Sequence, residues 1–143
     1  MTSTTVRFAD TNILLYAISG DPREEAKARR ANEILATADI GLSVQVLGEF
    51  YVQATRASRP DAITHAQAVG LIESWRRFPV QETTVEILTA ALATRQRFGI
   101  SYWDAAIIEA SRHLGCAVVL SEDLDAGTDY DGVRVENPFA SAA

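Results

Sequence analysis

The sequence predicts an α/β domain, a small and mostly parallel sheet flanked by helices. Two observations carry this. Short β-branched or apolar runs alternate with helical periods from one end to the other, and that alternation implies a parallel sheet covered on both faces. The run at 117–120 is almost continuously apolar, as expected of a central strand buried on both sides. The length of 143 residues fits one domain, and no repeat, low-complexity run or linker divides it.

Residues 5–9 read as the first strand, β-branched and partly alternating, ending at Asp10. A short helical piece follows at 12–18. Asp21-Pro22-Arg23-Glu24 supplies a cap, a first-turn proline and an acid three after the cap, opening a helix to about Ala38. A short strand is expected at 40–43. Val46, Leu47, Phe50, Tyr51 and Ala54 then repeat at helical spacing across 44–57. Asp61 is a candidate cap for a helix to about Phe78, which Pro79 ends, and 80–82 is a further strand. Thr83-Thr84-Val85-Glu86 matches a capping box. Val85, Leu88, Leu92 and Phe98 would line one side of the helix it opens, with Gly99 past its end. Ser101-Tyr102-Trp103-Asp104 is a second capping-box match, for a helix ending near Gly115. After the strand at 117–120 come a polar loop, 121–132, a last strand, 133–135, and the ending Asn137-Pro138-Phe139.

Composition narrows the function classes. The apolar share is 48% and the charged share 22%, ordinary for a soluble protein. No apolar stretch approaches the roughly 20 residues of a membrane span. No charged and then apolar leader opens the chain, so a cytoplasmic location is expected. Cys116 is the one cysteine, set in an apolar run, and reads as a buried, inert thiol. The net charge of −6 argues against a general nucleic-acid binder. Against that, 12 of the 13 basic residues are arginine, the better fork for phosphate. Several stand close together: Arg29-Arg30, Arg56 with Arg59, Arg76-Arg77 and Arg95 with Arg97. Most read as solvated helix faces.

In parallel sheets the reactive crevice lies beyond the carboxyl ends of the strands, and acids fall there. Asp10 follows the first strand and Asp123 the apolar one. Asp104 is in the first turn of the helix feeding that strand. Glu49 lies on a helix among apolar neighbours. Each has a plain alternative: Asp10 a helix cap, Asp104 the last member of a capping box, Asp123 a turn residue, Glu49 an exposed helix-end acid. Carboxylates gathered in one cleft raise one another's pKa, and a hard divalent cation removes the conflict. Two histidines and one cysteine leave zinc few ligands, so Mg²⁺ or Mn²⁺ is favoured. His65 and His113 lie in helices with no nucleophile motif near them.

These residues resemble a known family. Asp10-Thr11-Asn12, Leu47-Gly48-Glu49-Phe50, Ser101-Tyr102-Trp103-Asp104-Ala105, Leu120-Ser121-Glu122-Asp123-Leu124 and the ending Asn137-Pro138-Phe139 resemble, in order, the motifs of PIN-domain ribonucleases. Within that family the likeness is to VapC-type toxins of toxin–antitoxin pairs. The resemblance implies a single PIN-like domain over residues 1–143, homodimer formation, and Mg²⁺- or Mn²⁺-dependent hydrolysis of RNA. It also implies a small antitoxin partner.

Carried over by position, Asp10, Glu49, Asp104 and Asp123 are the acidic centre. Asp10, Asp104 and Asp123 would hold the metal, with Glu49 bound directly or through water. Asn12 and Ser121 are polar support. Glu122 and Asp125 depart from the pattern, and Asp125 reads as a solvated loop acid. Arginine pairs near the cleft would admit RNA, and Tyr102 or Trp103 would stack a base. Two rival classes remain. A non-catalytic PIN-fold module pairing with a protein or RNA partner would be expected to have lost acids. A phosphatase or response regulator would need an Asp-x-Asp motif, a glycine-rich loop or a late lysine, and the one lysine is Lys27.

Overall fold

The structure, a computed structural model, describes residues 7–140. Strand β1 (Arg7–Ala9) leads into helix α1 (Thr11–Ala17). A 3₁₀ turn (Pro22–Glu24) precedes α2 (Glu25–Leu35), and β2 (Ile40–Ser43) follows. Then come α3 (Val44–Ala54), α4 (His65–Trp75), β3 (Val80–Gln81), α5 (Val85–Phe98), α6 (Tyr102–His113), β4 (Val118–Leu120), β5 (Asp129–Tyr130) and β6 (Val133–Glu136). The part of the expected first strand before Arg7 lies outside the described residues.

The sheet order is β3-β2-β1-β4-β6-β5. All pairings are parallel except β5 with β6. Right-handed crossovers in this order place α1–α4 on one face and α5–α6 on the other. Helix α6 packs against β2, β3, β4 and β6, which is why seven of its residues are buried, and α5 packs along α6.

Four local expectations are corrected. Asp21 does cap, accepting Arg23 N at 2.9 Å with Pro22 in the first turn, but that turn is 3₁₀ before it runs into α2, and Glu24 accepts from the Ser19 hydroxyl at 2.6 Å rather than closing a capping box. The cap of α4 is Thr64, in a complete capping box with Gln67. Asp61 instead accepts from Gly20 N at 3.0 Å and pairs with Arg59 at 2.9 Å. The cap of α5 is Thr84, one residue later than the box at Thr83 predicts, and it takes Ile87 N at 3.2 Å. Its buried residues are Ile87 and Ala91, with Ala91 set against Ala105 and Ala106 of α6, while Val85, Leu88 and Leu92 face solvent. Finally, β5 lies inside the expected polar loop. Asp131 and Gly132, at φ 54° and 97°, form a tight two-residue hairpin turn, which Asp-Gly favours. Arg112 pins the hairpin through the carbonyls of Tyr130 and Asp131, at 2.6 and 2.7 Å.

Candidate active site

The strand order reverses direction between β1 and β4: β2 and β3 lie on one side of β1, and β4, β6 and β5 on the other. Ala9 stands opposite Leu120 in register, so both strands end level. Asp10 and Ser121 are the next residues on each, and Asp10 N donates to Leu120 O at 3.0 Å. Beyond those ends opens a cleft of about 630 Å³, lined by Asp10, Glu49, Asp104 and Asp123 together with Asn12. All four acids expected from the sequence therefore share one cavity, each delivered by a different segment.

Asp10 is 8% exposed. Its Oδ1 caps α1 by accepting Thr11 N, and its Oδ2 accepts the Ser121 hydroxyl, both at 2.7 Å. Asp10 thus caps α1 and also lines the cleft. Burial pushes its carboxyl up to about 6; the Ser121 and Thr11 hydrogen bonds oppose this, and the charges of Asp123 and Glu49 add to it. Asp104 is also raised, first by burial, with the Ser101 hydroxyl opposing and Asp123 and Glu49 adding. Ser101 caps α6 by accepting Asp104 N at 3.0 Å, which leaves the Asp104 carboxylate on the cleft wall.

The polar support is denser than expected. Ser121 is fully buried, and its Oγ accepts from Asp123 N and Leu124 N, at 3.1 and 3.2 Å, while donating to Asp10. Asn12 Nδ2 donates to Asp123 at 3.0 Å. Glu49 is held by the Thr11 hydroxyl at 2.6 Å and by Gln45 Nε2 at 3.2 Å. Sequence reading missed Thr11 and Gln45. Gln45 is one turn before Glu49 on α3, so its spacing was legible; the reach of Thr11 from α1 to α3 was not.

The two extra loop acids separate. Asp125 is exposed. Glu122 turns away from the cleft to Tyr16 and Lys27: the Tyr16 hydroxyl donates to it at 2.5 Å, and the Lys27 ammonium pairs with it. Burial pushes Glu122 up, but the bonds from Lys27 and Tyr16 outweigh it and hold the carboxyl below its usual range. The lone lysine thus anchors the loop that carries Asp123.

Other expectations are corrected or met. Among the described residues lining the cleft there is no Arg, Lys or His. Arg29, Arg76 and Arg97 instead pair with Glu25, Glu73 and Asp131. Arg59 of the Arg56 and Arg59 pair lies in a smaller adjoining pocket that also contains Asn12 and Asp123. Cys116 is 2% exposed, and burial pushes its thiol up to about 11, as an inert thiol requires.

An all-oxygen donor set suits Mg²⁺ or Mn²⁺. A carboxyl as high as Asp10, among like charges, is what a divalent cation would relieve. The fit is in chemistry rather than in closed geometry: among the described residues, no three acid, imidazole or thiol side chains stand grouped as a ready ion site.

Comparison with known proteins bears on this arrangement. The PIN domain family model matches residues 7–128. No curated protein sequence matches the chain. Similar solved structures include a toxin–antitoxin complex from Klebsiella pneumoniae, at TM-score 0.66 and 20% identity, covering 92% of this chain and 97% of that one. DNA-bound VapBC from Salmonella typhimurium is similar at TM-score 0.66 and 20% identity, covering 94% and 99%. A sarcin–ricin-loop-cleaving VapC toxin from Mycobacterium tuberculosis is similar at TM-score 0.62 and 20% identity, covering 82% and 91%. At these identities the likeness is one of fold.

Proposed function

The chain belongs to the PIN-domain family, and from that premise we propose that it is a Mg²⁺- or Mn²⁺-dependent endoribonuclease, the toxin of a type II toxin–antitoxin pair. One observation carries the reading: four acids from four segments line one cleft at the β1/β4 reversal. The neighbours support it, since one of them cleaves the sarcin–ricin loop and another is a toxin–antitoxin complex.

Asp10, Asp104 and Asp123 would hold the cation, with Glu49 direct or through water. The bound ion supplies charge neutralisation at the phosphate and a more acidic attacking water. The chain's own residues do the orienting. Ser121 and Thr11 N fix both oxygens of Asp10. Asn12 fixes Asp123, and Thr11 with Gln45 fixes Glu49. Water attacks phosphorus in line with the leaving 3′ oxygen, giving a 3′-hydroxyl and a 5′-phosphate. A small antitoxin is the proposed partner, the exposed Val85, Leu88 and Leu92 of α5 the proposed homodimer surface, and the cytoplasm the proposed location. No described helix is long and apolar enough to cross a membrane.

The test is digestion of bulk cellular RNA by the purified chain with Mg²⁺, with Mn²⁺ and with EDTA, beside Asp10→Asn. Fragments with 5′-phosphate ends, lost with EDTA and in the variant, are expected. Intact RNA in every lane, from folded protein free of any partner, would replace this reading with a very narrow substrate range or the non-catalytic binding module.

A further inference from the structure

The cleft has an apolar half that the acids do not explain. Among the described residues seven large hydrophobic side chains are exposed, and three of them line this one cleft: Val44 at 49%, Val52 at 57% and Trp103 at 61%. A concentration of that kind marks a binding surface. Val44, Gly48 and Val52 follow one another at intervals of four on α3, so they form a single stripe along one helix face. Gly48 sits mid-helix, where glycine costs about 0.5–1 kcal/mol against alanine. A Cβ there would meet nothing within 4 Å, so packing does not demand the glycine. Its effect is to keep the stripe low between the two valines.

We infer that this half of the cleft is a nucleobase subsite, in which Trp103 stacks an unpaired base of the RNA beside the Val44–Gly48–Val52 stripe. The inference rests on the ribonuclease reading and names the contact that holds its substrate. The absence of any cation among the described lining residues decides the chemistry. This half of the cleft therefore contributes apolar, stacking surface to the affinity, and no phosphate contact of its own. A base supplies a flat π-face directly attached to the sugar-phosphate that the acids would engage, and only an unpaired nucleotide exposes it.

Trp103 is distinguished from its neighbour Tyr102. Tyr102 is half-buried against Ala91, Ala105 and Ala106 and meets the Trp103 ring edge-on at 4.9 Å, so it is packing that props the tryptophan. Gln45 Nε2 reaches both the Trp103 carbonyl, at 3.3 Å, and Glu49, which ties the stacking wall to the acidic centre.

The experiment is titration of Asp10→Asn protein, as a non-cutting background, with 12-mer oligo(A), oligo(U), oligo(C) and a 12-mer abasic ribose-phosphate chain. Intrinsic fluorescence is the readout, since Trp75 is buried and Trp103 is the exposed reporter. The base-bearing 12-mers should quench emission and the abasic chain should not. Adding Trp103→Ala should weaken binding, followed by labelled RNA anisotropy, by roughly 5- to 100-fold, the usual scale of one base–aromatic stack. Trp103→Phe should recover most of it. Gly48→Leu should fold normally and also weaken binding. If the parent chain cuts RNA while the abasic 12-mer binds as tightly as oligo(A), or while Trp103→Ala and Gly48→Leu bind like the background protein, the subsite does not exist and the wall belongs to a protein partner. If the parent cuts no RNA and no 12-mer binds, the ribonuclease reading falls, and this inference with it.

Discussion

Asp10 concentrates the physical conflict of the site. It is the most buried of the four acids, capped and hydrogen-bonded on both oxygens, yet its carboxyl is raised to about 6 because burial outweighs those bonds. A carboxyl raised on folding binds its proton more tightly in the native state. Its contribution is most favourable below the unfolded value near 4 and is lost as pH rises through about 6. At neutral pH the ionised group therefore costs about 3 kcal/mol. Asp10→Asn removes that cost and gives up about 1 kcal/mol of hydrogen bonding to Ser121. The metal-free variant should be more stable than the parent by about 2 kcal/mol at pH 7.5, and below pH 4, where the ionisation cost is gone, it should be less stable by about 1 kcal/mol. Urea melts at several pH values measure this; a variant less stable at pH 7.5 would show that the hydrogen bonds dominate. Thr11 illustrates what the residue scale hides. As a sequence letter it is a threonine beside an aspartate, and only folding brings its hydroxyl to Glu49, 38 positions away.

At the scale of elements, α5 is the instructive case. Its apolar letters fit a helix, and a helix forms, but its cap sits on Thr84 rather than Thr83 and its inward face runs through Ile87 and Ala91. Small residues at the crossing let α5 lie close on α6, and the larger Val85, Leu88 and Leu92 are left outside. Periodicity finds such a stripe but not its direction, because an apolar face turned to a partner looks the same as one turned to the core. The consequence is measurable. Ile87→Ala should cost about 2–5 kcal/mol in urea unfolding, whereas Leu88→Gln and Leu92→Gln should each cost under about 0.5 kcal/mol to the monomer. If the stripe is the homodimer surface, the double Gln variant should shift to the monomer mass by light scattering; an unchanged mass would remove it from that role.

For the whole molecule, the governing feature is the reversal of strand order at β1 and β4. Adjacent parallel strands that end level place Asp10 beside the 121–123 loop, while the crossovers on opposite faces bring Glu49 on α3 and Asp104 on α6 to the same rim. Four like charges converging there should make the fold respond to hard divalent ions. Mn²⁺ at about a hundred times its dissociation constant should stabilise the native state by about 2.7 kcal/mol, roughly 8 °C in Tm for a domain of this size. EDTA should reverse the shift and Asp10→Asn should abolish it. A Tm indifferent to Mn²⁺ in the parent chain would mean that the acids do not hold a cation.

The alternation of short apolar runs with helical periods determined the α/β class, and the acids stand out in the sequence because each follows a strand, opens a helix or interrupts an apolar helix face. Those are local properties, written in neighbouring letters. Tertiary structure alone decided that Thr11 serves Glu49, that Glu122 leaves the cleft for Lys27 and Tyr16, and which side of α5 is outermost. Each of these depends on contacts between segments far apart in the chain, whose geometry is set by strand order and crossover packing and leaves no period or spacing in the sequence itself.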